Sequence, residues 1–243
     1  MKLQTLSNTL GLIASSALVL STTSAQAAKL SAADCVGSNY NCTITDPFFS
    51  VAGSDGAGNA QLTRKSFANY EGIGVATNGT TKIKDDPSWG EIDYDETLTV
   101  NFAEEKAVEY IDLGFLYKKG NNSDKVNEIA EVTAFDTLGN TFTGILSVIS
   151  ETTATWSLGG TVTTLSNPVE PFAGLFRITN PFGDMELDGL SFTAVDSGRD
   201  FSRQSWDSDF VVGAVKTVPE PGTLLGLLGI STLGMLKARR RQK

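Results

Sequence analysis

The chain of 243 residues contains no histidine. Ser-His-Asp and Cys-His nucleophiles both depend on an imidazole base, so these two kinds of catalytic site are excluded. The two cysteines alone fall short of the four Cys or His ligands of an ordinary zinc site. We therefore assign no catalytic residue and no metal ligand from the sequence.

Motifs that bind phosphate and internal repeats are also missing. The 24 glycines include neither a Gly-Lys-Ser/Thr phosphate loop nor a dinucleotide fingerprint. No segment recurs at a fixed period, which argues against solenoids and propellers. The enzymatic route that remains is a pair of carboxylates acting on a glycosidic bond, which requires carboxyl groups about 5–9.5 Å apart.

Long apolar runs occur only at the two ends of the chain. At the beginning, Lys2 precedes an apolar region over residues 10–20 and the sequence Ala25-Gln26-Ala27. This arrangement is typical of a secretory signal peptide. It predicts that residues 1–27 are removed on export and that a body of residues 28–217 remains.

The tail, residues 218–243, has three parts. It begins with Val218-Pro219-Glu220-Pro221, in which the two prolines hold Glu220 in extended backbone. The 15 residues from Gly222 to Leu236 carry no charge and would span about 22 Å as a helix, against a hydrocarbon core of about 30 Å. The basic end that follows favours the cytoplasmic side. The sequence thus predicts a C-terminal hydrophobic helix that inserts with local thinning of the bilayer.

This order of parts resembles the PEP-CTERM sorting signal of bacterial exported proteins. The resemblance covers about a tenth of the chain, with Val218, Pro219, Glu220 and Pro221 as the sorting motif. It implies transport by the secretion machinery, a transient membrane anchor, and cutting by an exosortase, a membrane protease-transpeptidase. It also implies a final location in the cell envelope, on the outer surface or in the extracellular matrix.

The part of the chain between the two ends is strongly acidic. All 28 acidic residues lie between Asp34 and Glu220, and 6 of the 19 basic residues lie in the ends, so residues 28–220 hold 13 basic residues and a net charge of −15. Such a charge repels phosphate backbones, and nucleic acid is not expected as a partner. Divalent cations or a neutral polysaccharide are compatible with it.

Cys35 and Cys42 are predicted to form a disulfide, because an even cysteine count outside the cytoplasm favours one. The loop between them is short, so the bond would remove little chain entropy. We expect it to order the N-terminus of the body more than to stabilise the fold.

Alternation of apolar and polar residues predicts nine or ten short strands, and hence an all-β protein, an antiparallel β-sandwich of jelly-roll type. The predicted strands are Gly72–Val75, Thr97–Phe102, Val108–Tyr117, Ile129–Phe135, Phe142–Val148, Thr152–Ser157, Thr161–Leu165, Gly174–Thr179, Leu190–Ala194 and Phe210–Val215. Three segments are less regular. Val51–Gly58 is predicted as a mobile loop, Leu62–Tyr70 is ambiguous, and Lys125–Ala130 is compatible with one helical turn.

The densest acidic segment lies just before the first long strand. This segment is Asp85–Glu96, and in extended chain Glu91, Asp93 and Asp95 would project on one face, with neighbours about 6.5 Å apart. Trp89 and Tyr94 would offer flat apolar surfaces to a sugar ring. The candidate ligand-binding residues are Trp89, Glu91, Asp93 and Tyr94. The alternatives are a solvated edge, with Ile92 inward and the acids in water, a calcium site, or a catalytic carboxylate pair.

Two other segments are weaker candidates for a calcium site. Asp55–Asn59 and Asp207–Asp209 contain oxygen ligands but lack the spacing of a dedicated calcium loop.

Threonines at alternate positions (141 and 143, 153 and 155, 161 and 163) would form outward ranks on adjacent strands, an array suited to ordered water or ice. Threonine on a solvated strand face is, however, ordinary.

Together these features predict a non-enzymatic exported β-sandwich with a structural or adhesive role, binding polysaccharide weakly. Two other functions are compatible with the sequence. One is a glycan-active hydrolase that uses carboxylates near Glu91–Glu96, and the other is a calcium-stabilised binding module. No cofactor other than calcium is suggested.

Overall fold

The computed structural model describes residues 27–67, 70–76, 90–93, 96–120, 125–165, 174–195 and 208–219. Strands account for nearly all regular structure in these ranges, and a single 3₁₀ turn, Ala32–Asp34, is the exception. The all-β prediction is confirmed. The strands are β1 Lys29–Ser31, β2 Cys35–Ser38, β3 Asn41–Ile44, β4 Phe49–Ser54, β5 Asn59–Phe67, β6 Tyr70–Ala76, β7 Thr97–Lys106, β8 Val108–Leu116, β9 Ile129–Phe135, β10 Thr141–Ser150, β11 Thr153–Trp156, β12 Thr161–Thr164, β13 Gly174–Thr179, β14 Leu187–Ala194 and β15 Val211–Thr217.

The predicted signal peptide and C-terminal hydrophobic helix lie outside the described residues. Within the described ranges, no helix has the length and apolar character needed to cross a membrane. The boundaries 1–27, 28–217 and 218–243 remain predictions.

Thirteen strands form one continuous antiparallel sheet in two halves. The first half has the order β11-β10-β9-β14-β7-β4, and the second has the order β5-β6-β15-β8-β13-β12, with β1 also paired to β15. The β4–β5 hairpin joins the halves through two residue pairs, Gly53 with Ala60 and Ser54 with Asn59. β2 and β3 form a separate hairpin that packs against β5.

The two halves enclose a shared hydrophobic core. Val132 and Phe192 enter it from the first half, and Ile111 and Phe176 enter it from the second. Each is completely buried, and burying one such side chain contributes roughly 1.5–3 kcal/mol. Because one core lies between two sheet halves, the fold is sandwich-like. The jelly-roll connectivity remains a prediction.

The strands predicted from the alternation of apolar and polar residues agree with the strands of the structure. All ten strand predictions are confirmed, with boundaries that differ by up to a few residues. In β7, Leu98 and Val100 are buried and Thr99 between them is partly exposed, as a half-buried pleated strand requires.

The three less regular segments differ from their predictions. The predicted mobile loop Val51–Gly58 is wrong, because β4 continues to Ser54 and a tight turn follows in which the Asp55 carboxylate accepts hydrogen bonds from the N–H groups of Ala57 and Gly58. The suggested helical turn at Lys125–Ala130 is also wrong, since β9 begins at Ile129. The ambiguous Leu62–Tyr70 falls largely within β5.

The N-terminal hairpin contains the predicted disulfide. Cys35 and Cys42 are bonded across β2 and β3, with Cα atoms 5.2 Å apart. Both are buried and belong to the main core. The Arg64 N–H donates to the Asn39 carbonyl at 3.0 Å, which attaches the turn of the hairpin to β5. The bond therefore anchors a segment that packs on the body.

Candidate functional site

The acidic segment is pinned to the beginning of the last strand. The Ile92 N–H donates to the Phe210 carbonyl at 2.7 Å, and the Phe210 N–H donates back to the Ile92 carbonyl at 3.2 Å. Both side chains are completely buried. The expectation that Ile92 packs inward is confirmed.

The expectation that the acids beside Ile92 face water is wrong. Glu91 is 2% exposed and Asp93 is 8% exposed, and Glu96 is fully buried. Their burial follows from the pairing with Phe210, which places this short segment within the body. A buried carboxylate is costly unless it is paired or hydrogen-bonded.

The buried acids have structural partners. The Lys65 ammonium lies 2.9 Å from Glu91 Oε1 and 5.8 Å from the centre of the Phe115 ring. The Glu96 N–H donates to the Asp93 carbonyl at 3.0 Å, and the Asp93 N–H donates to Glu96 Oε2 at 3.4 Å. The ion pair holds the segment against β5, and the second pair of bonds joins Asp93 to Glu96, the residue directly before β7.

The remaining candidates of this segment, Trp89 and Tyr94, lie outside the described residues, so sugar binding there remains a prediction. Among the residues that the structure describes, no three His, Cys, Asp or Glu side chains lie close enough to hold a metal ion. Asp55 closes the β4–β5 turn. Asp207 falls outside the described ranges, and its neighbour Ser208 accepts a hydrogen bond from the Ile129 N–H at 2.9 Å.

A cationic and aromatic cluster that the sequence did not reveal lies on β8, β13 and β15. Arg177 Nε and Nη2 donate to the two carboxylate oxygens of Asp112 at 2.7 and 2.8 Å, and this partner raises the pKa of the guanidinium. The same guanidinium lies 3.7 Å from the centre of the Tyr110 ring. Lys216 lies over that ring too, at 5.6 Å. The cations occupy the ring face, so the cluster stabilises the sheet and offers no aromatic platform.

The outward surface of the first sheet half is lined by hydroxyl groups, and we call it the hydroxyl face. It consists of fifteen outward positions, three on each of β4, β7, β14, β9 and β10. Residue pairs across these strands form three rows. The rows are Ala52, Thr99, Ser191, Thr133 and Thr143; Ser54, Thr97, Thr193, Glu131 and Ile145; and Ser50, Asn101, Gly189, Phe135 and Thr141.

The predicted threonine ranks are exposed but do not form a single array. Thr141 and Thr143 belong to the hydroxyl face. Thr155 lies on the adjacent strand β11 and extends the face, because it pairs with Ser147 of β10. Thr161 and Thr163 lie on β12 in the other half of the sheet. The rows that do form run across strands distant in sequence, where local alternation gives no signal.

The two ends of the body lie side by side. The Thr217 N–H donates to the Ala28 carbonyl at 3.0 Å, and the Ala28 N–H donates to Thr217 Oγ1 at 3.3 Å. One residue later, the Val218 N–H donates to the Ala107 carbonyl at 2.8 Å. The body therefore extends to the first residue of the predicted sorting motif, with Val218 itself 41% exposed.

Comparison with known proteins identifies one family feature. Residues 217–241 match the PEP-CTERM protein-sorting motif, so the match starts at the last residue of β15. The chain carries this motif, and the resemblance given above is confirmed. No curated protein and no solved structure matches the chain.

Proposed function

We propose that this is an exported, non-enzymatic β-sandwich protein that is sorted by its PEP-CTERM motif and has a structural or adhesive role. The observation that carries the proposal is the motif at residues 217–241, which begins at the last residue of the final described strand. The motif implies a protein that is exported, anchored in the membrane and then processed by an exosortase. Its destination would be the cell envelope, the outer surface or the extracellular matrix.

The arrangement of the chain ends supports this topology. Ala28 and Thr217 are hydrogen-bonded neighbours, so a signal peptide before Ala28 and a tail after Thr217 join the body at one place. Attachment at one place leaves the outer faces of both sheet halves for contacts with partners. This suits a protein that acts by contact with its surroundings.

The carboxylates of the acidic segment support a structural role rather than hydrolysis. Glu91 forms an ion pair with Lys65, and Glu96 is hydrogen-bonded to Asp93. Groups held in this way stabilise the connection into β7. The hydrolase alternative predicts turnover of a glycan that is abolished by Glu91→Gln or Asp93→Asn, whereas our proposal predicts no turnover in the unsubstituted protein.

Sorting is tested with Glu220→Ala in the full chain. We expect export and removal of the signal peptide to continue, while the tail is no longer removed, so the mature variant is heavier by the mass of the retained tail. Intact-mass spectrometry of both proteins from the producing cells measures this difference. Glu186→Ala, an exposed acid in the body, is the matched control and should be processed normally. An identical mature mass for the wild type and Glu220→Ala would refute the proposed sorting.

A further inference from the structure

The hydroxyl face has a regular lattice of donors and acceptors. Thr133 pairs with Thr143 on one side and with Ser191 on the other, and Ser191 pairs with Thr99. Adjacent strands lie about 4.8 Å apart, and alternate residues along a strand lie about 6.7 Å apart. Each hydroxyl offers one donor and two acceptor lone pairs. The face thus presents polar groups at repeated spacings over five strands.

Neighbouring side chains hold one another in position. The hydroxyl oxygens of Thr133 and Thr143 are 2.9 Å apart, and those of Thr97 and Thr193 are 3.4 Å apart. Threonine is stiff at χ1 because it is branched at Cβ. A ligand that binds such side chains loses little of its binding energy to ordering them.

The hydroxyl face is almost uncharged. Among the fifteen positions of its three rows, Glu131 is the one ionisable residue, although residues 28–220 carry a net charge of −15. The face offers a cationic partner almost no carboxylate to pair with, and the negative charge of the body would repel an anionic partner. The charge pattern fits an uncharged, hydroxyl-rich partner.

Two apolar side chains complement this polar lattice. The Phe135 ring lies over Gly189, whose missing Cβ leaves room for it, and Phe135 and Ile145 are both partly exposed. Partly exposed rings and aliphatic chains contact the C–H groups of a sugar while the hydroxyls bind its oxygens. A stable dimer interface is mostly apolar at its centre, and this face is mostly hydroxyl.

We propose that the hydroxyl face binds an uncharged polysaccharide laid across its strands. The inference rests on the adhesive role proposed above and assigns that role to one surface. Each contact is weak, so binding depends on many hydroxyls engaging a long chain at once.

Affinity electrophoresis of the full chain in gels containing hydroxyethyl cellulose, dextran or a soluble β-1,3-glucan tests the proposal, with anionic alginate as the charged comparison. We expect at least one neutral glycan to retard the protein and alginate not to do so. The double variant Thr99→Val and Thr133→Val preserves side-chain shape and removes two central hydroxyls. It should weaken the retardation at least fivefold.

The control is Thr161→Val with Thr163→Val, the same change on exposed threonines of β12. It should bind like the wild type, and both variants should keep the wild-type circular dichroism spectrum. If the wild type binds but the Thr99 and Thr133 variant binds equally well, the assignment to this face is overturned while the adhesive role stands. If the wild type binds no neutral glycan, polysaccharide binding fails altogether, and the mass measurement on Glu220→Ala still tests sorting separately.

Other occupants of the face would be recognised by separate measurements. Analytical ultracentrifugation would show a dimer that the Thr99 and Thr133 substitutions dissociate, if a second copy covers this surface. Inhibition of ice recrystallisation that the same substitutions abolish would identify ordered water as the partner. Either result, without retardation by a neutral glycan, would overturn the proposal.

Discussion

Tyr70 packs its ring where two glycines leave space for it. A Cβ at Gly114 or Gly213 would collide with the ring or its hydroxyl, and the ring also makes an edge contact with Phe115 at 6.0 Å between centroids. The residue as a whole is half-buried, but its hydroxyl oxygen is buried and has no hydrogen-bond partner among the described residues. Burial raises the pKa of the Tyr70 hydroxyl well above its ordinary value of 10.0, and the neighbouring Asp112 acts in the same direction.

Tyr70→Phe is predicted to leave the protein at least as stable as the wild type at neutral pH. The substitution removes a buried hydroxyl whose desolvation costs about 1–3 kcal/mol when it is not offset by a hydrogen bond. A difference also develops above pH 10, because the unfolded chain then releases the tyrosine proton and the folded protein retains it. The wild type therefore loses stability as pH rises above the ordinary tyrosine pKa, by up to about 1 kcal/mol at pH 10.5 from this group.

Urea unfolding at pH 7.5 and pH 10.5 measures both effects. Tyr40→Phe, at a residue that is 58% exposed, is the matched control and should follow the wild type at both pH values. A Tyr70→Phe protein that loses as much stability as the wild type between the two pH values would contradict the prediction.

At the scale of one element, the β9–β10 hairpin shows how a turn residue specifies a local structure. Asp136 Oδ1 accepts hydrogen bonds from the Leu138 N–H at 2.9 Å and the Asn140 N–H at 2.8 Å, and Asn140 Nδ2 donates to Oδ2 at 2.7 Å. Gly139 has φ 82°, which a residue with a Cβ rarely adopts. The hydrogen bonds, first that from the Asn140 side chain, lower the pKa of Asp136 below its ordinary value of 3.8.

Asp136→Ala should loosen this hairpin without unfolding the body. Limited proteolysis at the exposed Leu138 is expected to become several-fold faster at neutral pH, because three hydrogen bonds to the carboxylate are lost. In the wild type, the stability that the carboxylate contributes is present above its ordinary pKa and is lost as pH falls through the lower folded value. Asp184→Ala, an exposed acid in another turn, is the control. Equal cleavage rates for Asp136→Ala and the wild type would show that the hydrogen bonds do not hold the turn.

Strand length decides which elements can be recognised from the sequence. β7 and β9 alternate over six or more residues and are flanked by turn residues, so their positions follow from local pattern. β1, β2 and β3 have three or four residues each, which is too few for alternation to be recognised. They form because β1 pairs with β15 and because the disulfide holds β2 to β3.

At the scale of the whole molecule, the unforeseen features all depend on contacts between distant residues. Glu91 is buried because Ile92 pairs with Phe210 and Lys65 supplies the countercharge, and neither partner is near it in the chain. The row through Thr99 and Ser191 depends in the same way on the pairing of β7 with β14. By contrast, the sorting motif is contiguous, so its residues could be recognised from sequence alone.

At this scale, the last described strand of the body ends where the sorting motif begins. β15 ends at Thr217, beside Ala28, and the PEP-CTERM match starts there. A cut at any point after Thr217 would therefore remove no described strand. The mature protein is expected to keep the complete sheet after both ends have been processed.

The intact mass of the wild-type protein, recovered from the surface or medium of the cells that produce it, tests this most directly. We predict a chain that begins at Ala28 and lacks residues 223–243, with or without an added group at its new C-terminus. Recovery of all 243 residues uncut from the cytosol, with no shorter form outside the cell, would contradict export and sorting together.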